Sequence, residues 1–183
     1  MNEIADAAGV TKPVLYQHFR SKRELFGELL SDCGNDLQEA ITKAVTTAGT
    51  SHQMVELGFA AYFRYVEQHR DAFNLFYGIG VARDDEFASM VEQVSNTLAE
   101  LVANFIEIEG LGPEQRRLLG HGIVGMIVGT STHWLRTGSE LDASAVARQL
   151  ADLAWRGLRG VHPDASTNGA DDLSDGSTPA STS

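Results

Sequence analysis

The stretch Asn2–Lys22, NEIADAAGVTKPVLYQHFRSK, decides how the whole chain is read. Ile4, Ala5 and Ala8 form the inner face of a short helix, and the small Ala5 lets a second helix cross closely over it. Gly9 supplies a residue that tolerates positive φ where the chain must turn sharply. Val10 is expected to tuck into the angle between the helices. Thr11 stands where an N-cap belongs, with Lys12 and Pro13 in the first turn of the next helix, where proline is tolerated. Leu15 and Phe19, four apart, face inward. Thr11, Lys12, Pro13, Val14, Tyr16, Gln17 and His18 are left for the outside. Two short helices joined by a glycine turn, with the second one free on its outer face, form a helix-turn-helix suited to a major groove.

Outward from this stretch, every long segment repeats its apolar residues with a helical period and none alternates at period two, so the fold class is all-α. Phe87, Met90, Val91, Val94, Leu98, Leu101, Val102 and Phe105 make one amphipathic stripe, closed by Gly110, Gly112 and Pro113. Further helices are predicted at about 22–48, 52–69, 71–78, 113–137 and 142–160, the last capped by Asp142. The chain therefore divides into a helix-turn-helix domain at 1–30, a helical ligand-binding and dimerisation domain at 31–160, and an acidic tail at 161–183. The tail is rich in Ser, Thr, Asp and Gly and is expected to be disordered.

The formal charge of −11 is unevenly spread over the 183 residues. Residues 1–30 balance to zero, 31–160 carry −7, and the tail, with no Lys or Arg, carries −4. Only the first thirty residues can meet an anionic polymer without net repulsion. Cys33 is the single cysteine, which excludes an internal disulfide and suits a reducing cytoplasm. The most apolar window, Leu118–Leu135, holds His121, Thr130, Ser131, Thr132 and His133, too polar to span a membrane.

The run IADAAGV-TKPVLYQHF-RSK resembles the central signature of the TetR family of transcriptional regulators, in which Leu-Tyr-x-His/Tyr-Phe closes the recognition helix and a lysine opens the next one. The resemblance implies that Lys12, Pro13, Val14 and Gln17 reach base edges, and that Thr11, Tyr16, His18 and Lys22 contact phosphates. The chemistry of these side chains suits that division. Lysine donates to guanine, glutamine pairs with adenine, and the valine methyls meet the thymine methyl. The family ordinarily carries a further helix and a short basic arm before this motif. The expectation is accordingly that the true start lies upstream, or that the chain is a truncated paralogue whose Ile4, Ala8, Leu15 and Phe19 lack a covering partner.

The resemblance also implies a homodimer on a pseudo-palindromic double-stranded DNA operator. Its last two long helices would pair with their symmetry mates, and a small effector would release the DNA, repression being the family's usual output. Gly122, Gly125 and Gly129 form a small-residue strip for close helix approach, and Trp155 and Leu158 are candidate anchors of that interface. Candidates for a ligand pocket among the helices are Phe59, Tyr62, Phe63, Phe76, Tyr77, Met90, Phe105, Met126, His133 and Trp134, which suggest a hydrophobic or aromatic ligand.

No cofactor, metal site or membrane association is expected, and the chain is not expected to be an enzyme. The histidines at 18, 52, 69, 121, 133 and 162 show no i, i+4 pair, and there is no phosphate loop or nucleophile elbow. Asp32 and Asp36 beside Cys33 argue against a reactive thiolate. The alternative of a different class is a dimeric helical protein that binds a small molecule and has lost DNA binding through N-terminal truncation.

Overall fold

A computed structural model describes residues 1–77 and 84–162. Among these residues there are eight helices and no strand: α1 Asn2–Ala7, α2 Lys12–His18, α3 Lys22–Val45, α4 Ser51–Gln68, α5 Arg70–Phe76, α6 Asp85–Asn104, α7 Pro113–Thr137 and α8 Ala143–Arg159. The boundary expected at residue 30 falls inside α3, which runs unbroken from the edge of the helix-turn-helix to Val45. Gly78, in the helix predicted at 71–78, lies outside the described residues, as does the tail from residue 163 onward.

Local chemistry sets the helix starts. Ser21 Oγ accepts from the Glu24 amide at 3.1 Å, while Glu24 reaches back to the Arg20 amide at 2.6 Å. Thr50 and Gln53 repeat this exchange at the head of α4, where Gln53 accepts from the Gly49 amide at 2.8 Å. Asp84 caps α6, and Asp142 caps α8 by accepting from the Ala145 amide at 2.6 Å. Each such cap satisfies amides that the helix itself leaves unpaired. Thr11 occupies the N-cap position of α2 in an extended conformation, but its side chain makes no capping bond. α3 stops three residues before the predicted 48, because the Thr46 and Thr47 hydroxyls turn back onto the carbonyls of Lys43 and Ala44. α7 ends at Gly138, with φ 59°.

The bundle is built around α4, which packs on α3 and α8, while α6 packs on α3 and α7. Tyr62, Phe63 and Val66 on α4 are essentially inaccessible to solvent, and Ala143, Val146, Ala147, Ala151 and Ala154 let α8 lie closely against them. A smaller cluster of Phe26, Leu30, Phe76 and Val91 ties the N-terminal half of α3 to α5 and α6. The contact between α3 and α6 is close. A Cβ on Gly27 would lie 2.7 Å from Met90 Cε, and one on Gly34 would lie 2.9 Å from Val94 Cγ1. Arg23 forms an ion pair with Glu86 at the same end.

One buried group stands out. The Tyr65 hydroxyl has no hydrogen-bond partner among the described residues, although its ring stacks on His69 at 4.2 Å between centroids. A buried donor without a partner forfeits its hydration for nothing. Tyr65→Phe is therefore expected to raise stability by about 1 kcal/mol, seen as an unfolding midpoint a few degrees higher. A lower midpoint would refute this account.

Candidate functional site

The helix-turn-helix is assembled as its residues dictate. Ala5 is buried under α2, and Leu15 is the one buried side chain of α2. Gly9 takes φ 68°, and the turn is held by the Val10 amide donating to the Ala5 carbonyl at 3.0 Å. Two inner positions differ from expectation. Ala8 is exposed and Val10 is 38% exposed, because no described helix covers that side of α1.

Thr11, Lys12, Pro13, Val14, Tyr16, Gln17, His18 and Lys22 all lie on the exposed surface. They occupy the outer face of α2 and the first residue of α3. Val14 and Tyr16 are exposed although apolar, at 39% and 44%. Lys12 Nζ lies 5.9 Å from the centre of the Tyr16 ring. Lys22 sits at the amino end of a 24-residue helix, where free amides and the helix dipole favour an anion. This surface can donate to phosphates on both sides of an apolar centre, which is the chemistry of a groove-reading helix.

A second feature lies inside the bundle. A cavity of about 310 Å³ opens between α3, α4, α6, α7 and α8. Its walls are mostly aliphatic: Ile41, Val45, Met54, Val55, Leu98, Val102, Ile106, Ile123 and Ile127. Phe59, Tyr62 and Phe105 also line it. The exposed residues among its lining, Ser51, Glu107 and Arg159, mark the mouth. Ile41, Val45, Phe59, Tyr62, Leu98, Ile106 and Ile127 are the buried part of its wall. The Tyr62 hydroxyl is 3.1 Å from Ser131 Oγ, and Ser131 also donates to the Val128 carbonyl at 3.0 Å. Burial pushes the Tyr62 hydroxyl far above the usual phenol range, so it stays neutral.

Of the ten pocket candidates, the cavity brings together Phe59, Tyr62 and Phe105. The other seven lie elsewhere, and packing explains each. Phe63 and Trp134 are solid core, with Trp134 Nε1 donating to the Leu141 carbonyl at 2.9 Å. Phe76 and Met90 belong to the small cluster that joins α3, α5 and α6. Met126 packs at the core's edge, His133 is exposed, and Tyr77 lines a separate cavity of about 60 Å³ with Phe73, Asn74, Thr132, Leu135 and Arg136.

Trp155 and Leu158, expected as dimer anchors, line the large cavity and remain partly exposed. Trp155 is held between His52, 4.9 Å between ring centres, and Arg159. Gly122, Gly125 and Gly129 do face outward, and a Cβ on any of them would meet nothing within 4 Å. Leu118 and Leu153 are also exposed, at 67% and 59%, and were not among the sequence candidates. Burial pushes the Cys33 thiol up, and the nearby Asp36 and Asp32 carboxylates push it the same way. Among the described residues no helix is long and apolar enough to cross a membrane.

With this geometry in hand, comparison with known proteins is specific. Residues 1–29 match the family described as bacterial regulatory proteins, tetR family, and residues 41–170 match the tetracyclin repressor-like C-terminal domain. The HTH-type transcriptional activator FasR of Mycolicibacterium smegmatis is 29% identical over 162 residues, 88% of this chain and 74% of that protein. A solved TetR-like transcriptional regulator from Rhodococcus sp. RHA1 is 27% identical, with a TM-score of 0.67 over 86% of this chain and 83% of that one. The fold is also that of FadR from Bacillus subtilis, solved in complex with stearoyl-CoA, at 19% identity and a TM-score of 0.67 over 88% of each chain.

Proposed function

The chain belongs to the tetR family of bacterial regulatory proteins, and on that premise we propose that it is a cytoplasmic, dimeric regulator whose grip on operator DNA is set by an acyl-chain ligand in the large cavity. The observation that carries this reading is the position of α3. Its far end contributes Ile41 and Val45 to the cavity wall, and its near end begins at Lys22 beside the recognition helix α2. Filling the cavity and presenting α2 are thus tasks of one rigid element.

The lining favours a flexible aliphatic chain over a planar aromatic ligand, since aliphatic side chains dominate the walls and the charged residues stand only at the mouth. Bacillus subtilis FadR holds stearoyl-CoA, a ligand with that division between an apolar chain and a polar end. At the mouth of the present cavity Arg159 and Glu107 would face the polar end. The sign of the output is a separate matter. The relative from Mycolicibacterium smegmatis is an activator, and the same change in DNA affinity represses or activates according to where the operator lies relative to the promoter. The family's proteins are regulators, and catalysis has no part in this reading.

The test is selection of a DNA site from a random pool, followed by fluorescence anisotropy on that site with and without saturating long-chain acyl-CoA. At least a tenfold change in affinity is expected, with a coupling of that size typical of allosteric ligands. Unchanged affinity with the acyl-CoA demonstrably bound would overturn the reading.

The dimer is proposed to form through the outward strip of Gly122, Gly125 and Gly129 with Leu118 one turn before it on α7, joined by the exposed Leu153 of α8. Small residues there permit close approach by a second copy, and the leucines are too exposed for a surface facing water. Gly125→Arg is expected to yield monomers by sedimentation while leaving the helical content intact, since Gly125 is exposed and a Cβ there meets nothing within 4 Å. A dimer of unaltered strength would exclude this face.

A further inference from the structure

We infer that Arg159 reads a negative charge at the polar end of the ligand, so that the cavity takes an anionic amphiphile in preference to a neutral lipid. The inference rests on the acyl-chain reading of that cavity. Arg159 is the one basic residue among the described lining, and it stands exposed at the last position of α8. Among the described residues it forms no ion pair. Its neighbour Arg156 differs, because Asp152 one turn back holds its Nε at 2.9 Å. Arg159 instead lies over the ring of Trp155, with the guanidinium carbon 5.8 Å from the ring centre. Trp155 is itself part of the cavity wall. An uncompensated positive charge is thus held at the edge of an apolar space, on an aromatic support that belongs to that space.

A guanidinium over a ring keeps its five N–H donors, which lie in its own plane and suit a carboxylate or a phosphate. An anion arriving at Arg159 has only water to displace, whereas at Arg156 it would have to displace Asp152. The remaining walls cannot tell a charged end from a neutral one, since burial of methylenes is not directional. Tyr62 adds nothing at the mouth, because its buried hydroxyl is 3.1 Å from Ser131 Oγ. Discrimination by charge therefore falls to Arg159 and to the other charged lining residue, Glu107. The two form no ion pair with each other, so Glu107 leaves the guanidinium open and opposes any second anion.

The experiment is calorimetric titration of the full chain with four ligands that share one chain length. Two are anionic, dodecanoic acid and dodecanoyl-CoA, and two are neutral, dodecanol and the thioester S-dodecanoyl-N-acetylcysteamine. At least one anionic ligand is expected to bind about tenfold or more tighter than both neutral ones. Tight acid with the CoA ester at the neutral level supports a carboxylate as the charge that is read, and the reverse supports a phosphate. In Arg159→Gln the advantage should fall to about twofold or less, with dodecanol bound as by the parent protein. Arg159→Lys should keep part of the advantage, and Glu107→Gln should add several-fold for the anionic ligands alone. Equal affinity for charged and neutral ends in the parent, or an advantage that survives in Arg159→Gln, would overturn the role of Arg159 and leave an acyl-binding cavity. An equal loss of dodecanol and anion binding in Arg159→Gln would make the residue a support of the wall and overturn it too. Failure of all four ligands to bind the parent would overturn both readings.

Discussion

Gly120→Val is expected to remove the cooperative unfolding transition at ordinary temperature, or to lower its midpoint by about 10 °C or more in a calorimetric scan. Gly120 sits two turns into α7, where that helix crosses α6. A Cβ there would collide with the Ala99 carbonyl oxygen and would also stand 3.2 Å from the Ala103 amide nitrogen and 3.3 Å from its Cβ. The obstruction is backbone on a neighbouring helix, so no rotamer relieves it. The two helices must part, and Leu98, Ala99, Ala103 and Val124, buried around that crossing, lose packing together. Overpacking of a well-filled core costs about 1–3 kcal/mol for an extra methyl and more for a branched side chain, against a total of roughly 5–15 kcal/mol for a domain. Gly157→Ala on α8 is the control. A Cβ there meets nothing within 4 Å, and the gain in helix propensity should leave stability equal or about 1 kcal/mol higher. Equal behaviour of the two variants would show that helix propensity, and not the crossing, governs Gly120.

The second large effect concerns DNA. Lys12→Ala and Gln17→Ala are each expected to weaken binding to the selected operator by tenfold or more, and to relax base preference at one position in each half-site. A well-made contact to a base edge contributes about 1–3 kcal/mol of discrimination, and a two-fold dimer uses it twice. Both side chains stand on the exposed face of α2 and neither supports the fold, so thermal stability should not change. Lys22→Ala should behave differently. It would lower affinity for all sequences alike and reduce the slope of log affinity against log salt by about one for each lost phosphate contact. Loss of sequence preference in Lys22→Ala, or its retention in Lys12→Ala and Gln17→Ala, would reverse the division between base and phosphate contacts.

The parts of this molecule written in local patterns could be read from the sequence. The α2 surface was legible because turn, buried and outward positions alternate within seven residues, so one buried Leu15 assigns the rest. The 113–137 helix was bounded at both ends by Gly112-Pro113 and Gly138, and the structure places it there. The cavity was not legible, because it is made where five helices meet and no single period encodes their meeting. Choosing aromatic residues and methionines selected the best core fillers, such as Phe63 and Trp134, while the walls are the aliphatic residues that leave space between them. Trp155 and Leu158, offered as interface anchors on the last helix, also line the wall of the cavity. His52 at the head of α4 packs against Trp155, a contact between distant helices that no local pattern encodes. Leu153, on the same helix and far more exposed, was the residue that the face of α8 leaves to solvent.

The unbroken run of α3 has a mechanical consequence. Gly34 seats on Val94 close to the middle of the helix, so α3 is a beam with a fulcrum. At 1.5 Å per residue, Lys22 lies about 18 Å to one side of that point and Val45 about 16 Å to the other. Arms so nearly equal give a gearing close to one to one, with the sense reversed. On the acyl-chain reading proposed above, an outward push of about 3 Å on Val45 would swing the DNA end, together with the α6 residues seated on Gly27 and Arg23, inward by about 3 Å, close to the ~3.4 Å between stacked bases. Made by both subunits of the proposed dimer at once, that stroke would change the separation of two recognition helices by up to ~6 Å in a spacing that the double helix fixes at ~34 Å. The helix thus has the proportions to convert the filling of a small cavity into a misfit of about one or two base pairs.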